Sequence, residues 1–120
     1  MARKILVVDD SPTQLKMIKS ALEEKGYDIV TAVDGEQAVA QAIEHQPDLI
    51  VLDIVLPKKN GFQVCRQLKN TPSTNKIKVI LLSSKSQESD RFWGLRQGAD
   101  EYLTKPFEPS KLLSSVERHL

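Results

Sequence analysis

Five polar side chains stand where apolar, strand-like runs of the sequence end, and their types suit phosphoryl chemistry: they are Asp9, Asp10, Asp53, Ser83 and Lys105. Three carboxylates that lie close together repel one another, so they need a partner cation. Oxygen ligands without histidine or thiolate favour Mg²⁺, or Mn²⁺. A hydroxyl and a lysine can then contact phosphoryl oxygens, and a carboxylate can be the nucleophile. The set therefore indicates phosphoryl transfer, which depends mostly on positioning and charge neutralisation.

The run that ends at Asp53 indicates where these side chains must lie. Residues 49–52 are Leu-Ile-Val-Leu, and an apolar run without a polar interruption is typical of a strand buried on both faces of a parallel sheet. Pro57 and Asn60-Gly61, which follow, are turn residues, so Asp53 stands where the chain leaves the sheet. Ligands of such sheets bind at the carboxyl ends of the strands. Asp53 is therefore a site candidate by its position.

Strand-like and helix-like segments alternate five times along the chain. We predict strands at residues 4–8, 27–33, 49–52, 77–82 and 101–104, and helices that begin at residues 12, 36, 62, 87 and 109. This order predicts right-handed crossovers and an open, doubly wound α/β sheet with helices on both faces. If the strands are parallel, all five candidate side chains lie at one edge of the sheet and can share one crevice.

Three of the predicted helices carry specific expectations. Ser11 is the expected N-cap of the first helix, with Gln14 at the capping-box position. In the fourth helix Phe92 and Leu95 share the face assigned to the core, and Trp93 lies about 100° round the helix from Phe92. We expect Trp93 either to anchor a partner protein or to pack against a neighbouring helix or the stem of Arg96. The predicted second helix places Ala38, Val39, Ala42 and Ile43 at helical spacing.

Length and composition limit the class of protein. The 120 residues fit one domain, and 17 Lys and Arg against 16 Asp and Glu give a net charge of +1, so no bulk field favours nucleic acid or anionic lipid. No apolar run approaches the roughly 20 residues of a membrane span, and the N-terminus does not resemble a signal peptide, which predicts a cytoplasmic protein. The single cysteine, Cys65, allows no intrachain disulfide and is expected to be a buried apolar residue.

The candidate residues resemble a known family. Asp9-Asp10, Asp53, Ser83 and Lys105-Pro106 are similar to the active-site set of bacterial response-regulator receiver domains of the CheY type, and the resemblance covers the full chain. The loops at residues 52–57, 60–62 and 98–102 are also similar. The segment 91–107, with its Trp-Gly and Leu-Thr pairs, resembles PilH-type regulators of type IV pilus motility. The resemblance implies a flavodoxin-like sheet in the strand order 2-1-3-4-5.

The resemblance also implies a role for each acidic residue. Asp53 would be the phosphoacceptor, which takes the phosphoryl group from a phosphohistidine of a sensor histidine kinase of, for example, the CheA-like kind. Asp10 and Asp53 would hold Mg²⁺ together with the backbone carbonyl of Val55. Asp9 would act mainly through a water bound to the metal.

The last two strands would supply the remaining functional residues. By resemblance, Ser83 would bond one phosphoryl oxygen and Lys105 would pair with another. Tyr102 matches the switch aromatic of the family, which turns inward when Ser83 moves toward the phosphate. The bond between Lys105 and Pro106 would be cis. The switched surface would comprise the fourth helix, the fifth strand and the fifth helix, and it would control a downstream effector protein.

We expect a stand-alone receiver over residues 1–120, with no output domain. It would be an interaction switch rather than an output enzyme, either a monomer or a dimer linked to phosphorylation, without direct contact to nucleic acid or membrane. One alternative is an aspartyl-phosphate phosphatase or phosphotransferase, which would need a second carboxylate two places after its nucleophile, where this chain has Val55. Another is a docking module that works without phosphorylation, although such a module has no reason to keep four mutually strained charges.

Two further positions bear on how long a phosphoryl group would last. Val55 and Lys85, two places beyond Asp53 and Ser83, match the positions that flank the path of the hydrolytic water in the family. Neither is a good base for that water, since Val has no polar group and Lys is protonated. We therefore expect spontaneous dephosphorylation to be slow to moderate. Ser84, where the family usually has Ala, is a mild departure.

Overall fold

The computed structural model describes residues 2–120 and contains a five-stranded sheet. All four strand pairs are parallel, and the strand order is β2-β1-β3-β4-β5. The predicted doubly wound, flavodoxin-like topology is therefore confirmed. The strands are β1 (Lys4–Val8), β2 (Asp28–Ala32), β3 (Leu49–Leu52), β4 (Lys78–Ser83) and β5 (Glu101–Thr104).

Five helices cover the two faces of the sheet. They are α1 (Pro12–Glu23), α2 (Gly35–His45), α3 (Gly61–Lys69), α4 (Glu88–Arg96) and α5 (Pro109–His119). Successive side chains of a strand point to opposite faces of the sheet, so alternate residues of the central strands belong to two separate cores. Ile5 and Val7 of β1 pack with α1 and α5, whereas Leu6 and Val8 pack with α2 and α3. Cys65 is fully buried in the second of these cores, as predicted.

The helix starts show which sequence signals for capping were right. Ser11 caps α1, because its Oγ accepts a hydrogen bond from the Gln14 N–H at 3.3 Å. The reciprocal half of the expected capping box is not made: the Ser11 N–H instead donates to Oδ1 of Asp9 at 2.9 Å. A complete box is present at α3, where Asn60 and Gln63 cap each other. The first turn of α1 is therefore attached to a candidate site residue.

The buried face of α4 differs from the prediction. Phe92 and Leu95, assigned to the core, are 55% and 45% exposed, and the residue that faces the sheet is Gly94. A Cβ at Gly94 would lie 2.8 Å from Cδ1 of Leu81 and 2.9 Å from Cδ2 of Tyr102, so only glycine lets the helix lie this close. Hydrophobic spacing cannot reveal a helix that packs through a residue without a side chain. Ile43 of α2, also at helical spacing, is likewise 49% exposed.

No helix within residues 2–120 has both the length and the apolar character needed to cross a bilayer.

Candidate functional site

Three carboxylates meet at the carboxyl edge of the sheet. Each of Asp9, Asp10 and Asp53 offers an oxygen that lies within 4.8 Å of those of the other two. The parallel register causes this, because Val8 at the end of β1 is paired with Leu52 at the end of β3. Asp9 and Asp53, the residues that follow, therefore lie side by side at the carboxyl edge of the sheet. Asp9 is 1% exposed and Asp53 is 8% exposed, whereas Asp10 faces solvent.

Lys105 contacts both buried carboxylates and offsets one of their two negative charges. Its Nζ lies 2.7 Å from Oδ2 of Asp9 and 2.9 Å from Oδ2 of Asp53. Burial alone would lower the pKa of Lys105, but the hydrogen bonds and charges of Asp9 and Asp53 outweigh it and raise the pKa above its usual value. Lys105 is thus held as an ammonium ion. Its backbone N–H donates to the Ser83 carbonyl at 2.9 Å, and the following Lys105–Pro106 peptide bond is cis.

The second oxygen of each buried carboxylate is held by backbone amides. Oδ1 of Asp53 accepts from the N–H groups of Ile54 at 2.6 Å and Val55 at 3.3 Å. Oδ1 of Asp9 accepts from the Ser11 N–H. Each carboxylate therefore has one oxygen on the main chain and the other on Lys105, which fixes its orientation. Asp10 remains accessible from the solvent side of the cluster.

The donor set suits a hard divalent cation. Three carboxylate oxygens this close, one of them on exposed Asp10, match the oxygen ligands that Mg²⁺ takes. Lys105 offsets part of the negative charge of the cluster but contacts only Asp9 and Asp53. A net charge of −2 therefore remains on the three carboxylates and the ammonium, and exposed Asp10 is accessible to a small cation. Mg²⁺ characteristically binds through one or two carboxylates while keeping several waters.

Ser83 and Tyr102 both form a hydrogen bond with the backbone of Lys85, in the loop between β4 and α4. Ser83, the last residue of β4, is fully buried, and its Oγ accepts from the Lys85 N–H at 3.4 Å. Tyr102 of β5 is 2% exposed and points inward, where its hydroxyl donates to the Lys85 carbonyl at 2.5 Å. Burial raises the pKa of Tyr102 to about 12, with Asp90 and Asp53 adding to the effect, so the hydroxyl stays a donor. The loop between β4 and α4 is thus attached to both strands at one residue.

Two features of the loop after Asp53 were missed by the sequence reasoning. Asp34, which was not among the candidate residues, caps α2 by accepting from the Gln37 N–H at 2.7 Å, and its other oxygen lies 3.8 Å from Nζ of Lys58. Gly61 was read as turn chemistry, yet a Cβ there would lie 2.3 Å from the Asp53 carbonyl oxygen. An Asp before a helical stripe is a recognisable N-cap signal. No sequence pattern reveals the close approach at Gly61.

Comparisons with known proteins agree with this geometry. The chain matches the response regulator receiver domain family over residues 5–117. It is 46% identical to the protein PilH of Pseudomonas aeruginosa over 116 residues, which cover 97% of this chain and 95% of that protein. Two other curated relatives, 44% and 43% identical, are longer, and the chain covers 48% and 47% of their lengths.

Solved structures give the same result. The chemotaxis response regulator CheY4 of Vibrio cholerae superposes with a TM-score of 0.93 at 30% identity, and the match covers 100% of both chains. The receiver domain of a sensor histidine kinase from Pseudomonas aeruginosa PAO1 superposes with a TM-score of 0.91 at 30% identity, over 98% of this chain and 97% of that one. That structure has a magnesium ion coordinated in its active site cleft.

Proposed function

This chain belongs to the response regulator receiver family, and from that premise we propose that Asp53 accepts a phosphoryl group from a phosphohistidine of a sensor histidine kinase. Receiver domains are signalling modules that bind Mg²⁺ at an acidic site, receive phosphate from histidine kinases and act on downstream targets. The proposal assigns Asp53 as the acceptor, Asp10 and Asp53 with the Val55 carbonyl as metal ligands, and Lys105 and Ser83 as contacts of the phosphoryl oxygens.

The observation that carries the proposal is the contact of one ammonium group with two buried carboxylates. Lys105 lies far from Asp9 and Asp53 in sequence, yet its Nζ is within 2.9 Å of both. Burying three charged groups at one spot costs free energy that an apolar cluster would not. A fold keeps such a cluster when its charges perform chemistry.

In the proposed reaction an Asp53 oxygen attacks the phosphorus of the donor. A P–O bond forms at Asp53 while the P–N bond to the donor histidine breaks, and the histidine nitrogen keeps the electron pair. Asp53 is prepared for this by two backbone amides and Lys105, which hold its carboxylate in one orientation. Bound Mg²⁺ would neutralise negative charge that develops on the transferred phosphoryl group. Lys105 would leave its contact with Asp53 to pair with a phosphoryl oxygen.

The proposed signal leaves the site through Ser83 and Tyr102. When Ser83 donates its hydroxyl hydrogen to a phosphoryl oxygen, its Oγ can keep accepting from the Lys85 N–H, so a movement of Ser83 toward the phosphate would shift Lys85 with it. Because the Tyr102 hydroxyl is bonded to the carbonyl of the same residue, the loop cannot move without changing the environment of Tyr102. Tyr102 lies directly under Gly94 of α4. The response would therefore reach the surface formed by α4, β5 and α5, which would bind the effector.

The likeness to PilH supports a downstream role in pilus-driven motility, with an effector protein as the output. The alternative of a phosphatase or phosphotransferase enzyme is less well supported. Its second carboxylate would be needed two places after Asp53, and Val55 at that position has no polar group.

The test is phosphorylation by a small donor. Wild type and Asp53→Asn are incubated with Mg²⁺ and acetyl phosphate, and intact mass is measured. We expect one added phosphoryl group in wild type and none in Asp53→Asn or in wild type with excess EDTA. A phosphoryl group that still appears on Asp53→Asn would show that another residue is the acceptor. Turnover of a generic phosphate ester by wild type would favour the enzyme alternative.

A further inference from the structure

A groove lies between the carboxyl-terminal ends of α3 and α4, away from the carboxylate cluster. Its volume is about 420 Å³, and its lining includes Arg66 and Lys69 of α3 and Trp93 and Arg96 of α4. In this sheet the helices end near the amino edge, because each one leads back to the start of the next strand. The groove is therefore at the opposite edge from Asp9 and Asp53.

The floor of the groove is held rigidly. Nζ of Lys69 donates to the Ile77 carbonyl at 2.8 Å and to Oδ2 of Asp100 at 3.0 Å, so this lysine is not available to a ligand as a free charge. Its stem packs against Gly98, where a Cβ would lie 2.9 Å from Cγ of Lys69. The Cys65 Sγ donates to the Gln97 carbonyl at 3.5 Å, which connects α3 to the end of α4. Because the floor of the groove is already fixed, little conformational entropy is lost from these residues when a ligand binds.

The α4 wall of the groove presents an aromatic surface to solvent. Trp93 is 54% exposed, and its ring meets the ring of Phe92 edge to face at 5.9 Å. The guanidinium of Arg96 lies 5.6 Å from the centre of the Phe92 ring. These contacts hold the side chains in place without burying them. Trp, Tyr and Arg are the residues most enriched at the energetic centres of protein interfaces.

The groove is positively charged although the chain is nearly neutral. Three of the described residues that line it, Arg66, Lys69 and Arg96, are cations, and none of the described lining residues is Asp or Glu. Within residues 2–120, neither Arg66 nor Arg96 forms an ion pair, and both are exposed. The two unpaired guanidinium groups therefore give the groove a local positive charge.

We propose that this groove binds an acidic segment of a partner protein, with an apolar side chain of the segment against Trp93 and its carboxylates on Arg66 and Arg96. Charge complementarity selects the occupant, since two unpaired guanidinium groups can each take a carboxylate in bidentate fashion. Nucleic acid fits less well, because two of the described residues that line the groove are cations without an ion pair, and nucleic-acid affinity grows with the number of phosphates neutralised. The groove lies on the side of α4 next to α3, whereas Arg91, on the other side of α4, lines a cavity with residues of β5 and α5.

The test selects peptides from a display library of random dodecapeptides with the full chain as bait. Enriched peptides are synthesised with a fluorophore, and their affinities for wild type, Trp93→Ala and Arg66→Glu are measured by anisotropy. Arg91→Glu is the matched control, because it makes the same charge change on the side of α4 that lies away from the groove. A single-stranded oligothymidylate of equal length is measured in parallel. Circular dichroism verifies that each variant is folded.

We expect the enriched peptides to combine acidic and apolar residues. Their Kd should rise at least about tenfold in Trp93→Ala and in Arg66→Glu and change less than about twofold in Arg91→Glu. Added salt should weaken binding. Three outcomes would overturn the proposal. In the first, the library yields no enriched peptide. In the second, the enriched peptides bind wild type and both groove variants equally. In the third, the oligothymidylate binds wild type more tightly than any peptide and loses that binding in the same variants. Phosphorylation of Asp53 is not needed for binding, so failure of the acetyl phosphate test would leave this result standing.

Discussion

Replacement of Lys105 by Met tests whether its ammonium group holds the carboxylate cluster together. The side chains of Lys105, Asp9 and Asp53 are 13%, 2% and 10% exposed. Met keeps the apolar stem and removes only the charge, which leaves two carboxylates buried without a cation. Removal of one partner of a buried ion pair typically costs about 3–5 kcal/mol. Because Asp10 gives the cluster access to solvent, we take the lower end, about 3 kcal/mol.

Urea unfolding at neutral pH in EDTA measures this change. With a slope of about 1.5 kcal/mol/M for a domain of this size, a loss of about 3 kcal/mol lowers the midpoint by about 2 M urea. Mg²⁺ should then stabilise Lys105→Met more than wild type, since it supplies the missing positive charge to the same carboxylates. Addition of Asp9→Asn to Lys105→Met should restore part of the loss, because one of the uncompensated charges is removed.

The reasoning would be refuted if Lys105→Met were as stable as wild type in EDTA. It would also fail if Asp9→Asn lowered the stability of wild type and of Lys105→Met by the same amount, since the two side chains would then be energetically independent. Lys16→Met on α1, which removes an exposed lysine, is the matched control and should change the midpoint little.

Three further predictions test other parts of the structure. Gly94→Ala should destabilise the protein by about 1–3 kcal/mol in urea unfolding, because the added methyl group meets Tyr102, and wild-type stability would show that α4 can shift freely. Contacts with neighbouring groups, which outweigh burial, lower the pKa of Glu101, so its contribution to folding is complete above its unfolded pKa and is lost as the pH falls through the lower folded value. Glu101→Gln should accordingly cost about 1 kcal/mol at pH 7 and progressively less below about pH 4, and a difference independent of pH would contradict this. With Val55 and Lys85 beside the site, the phosphoryl group on wild type should be lost over minutes in an intact-mass time course, and a lifetime of only a few seconds would exclude the slow hydrolysis we expect.

The fold could be predicted from the sequence because the strands are short, apolar and bounded by turn residues. The run at residues 49–52 is buried on both faces, as its lack of polar residues indicated. Once a parallel sheet was inferred, the common edge for Asp9, Asp53 and Lys105 followed from the polarity of the strands. Period and composition were sufficient for this step.

The sequence could not indicate how the side chains pair. That Lys105 pairs with a phosphoryl oxygen stays a prediction, and the sequence did not indicate that its Nζ also contacts two carboxylates. Its rotamer depends on the positions of β1, β3 and β5 in space. The prediction for α4 was wrong because it assumed that the apolar residues face inward. The helix instead contacts the sheet through Gly94, and Phe92 is exposed to solvent. The contacts of Lys105 and the packing of α4 both depend on three-dimensional positions that a linear pattern does not contain.

The position of Trp93 makes this protein convenient for optical spectroscopy. It is the only tryptophan in the chain, so excitation of indole reports on α4 alone. Since it lies near the amino edge of the sheet, a metal or phosphate at the carboxyl edge cannot quench it by direct contact. Any change in its emission when Asp53 is modified must travel through the body of the domain, so the amplitude of that change would measure how far the helix responds.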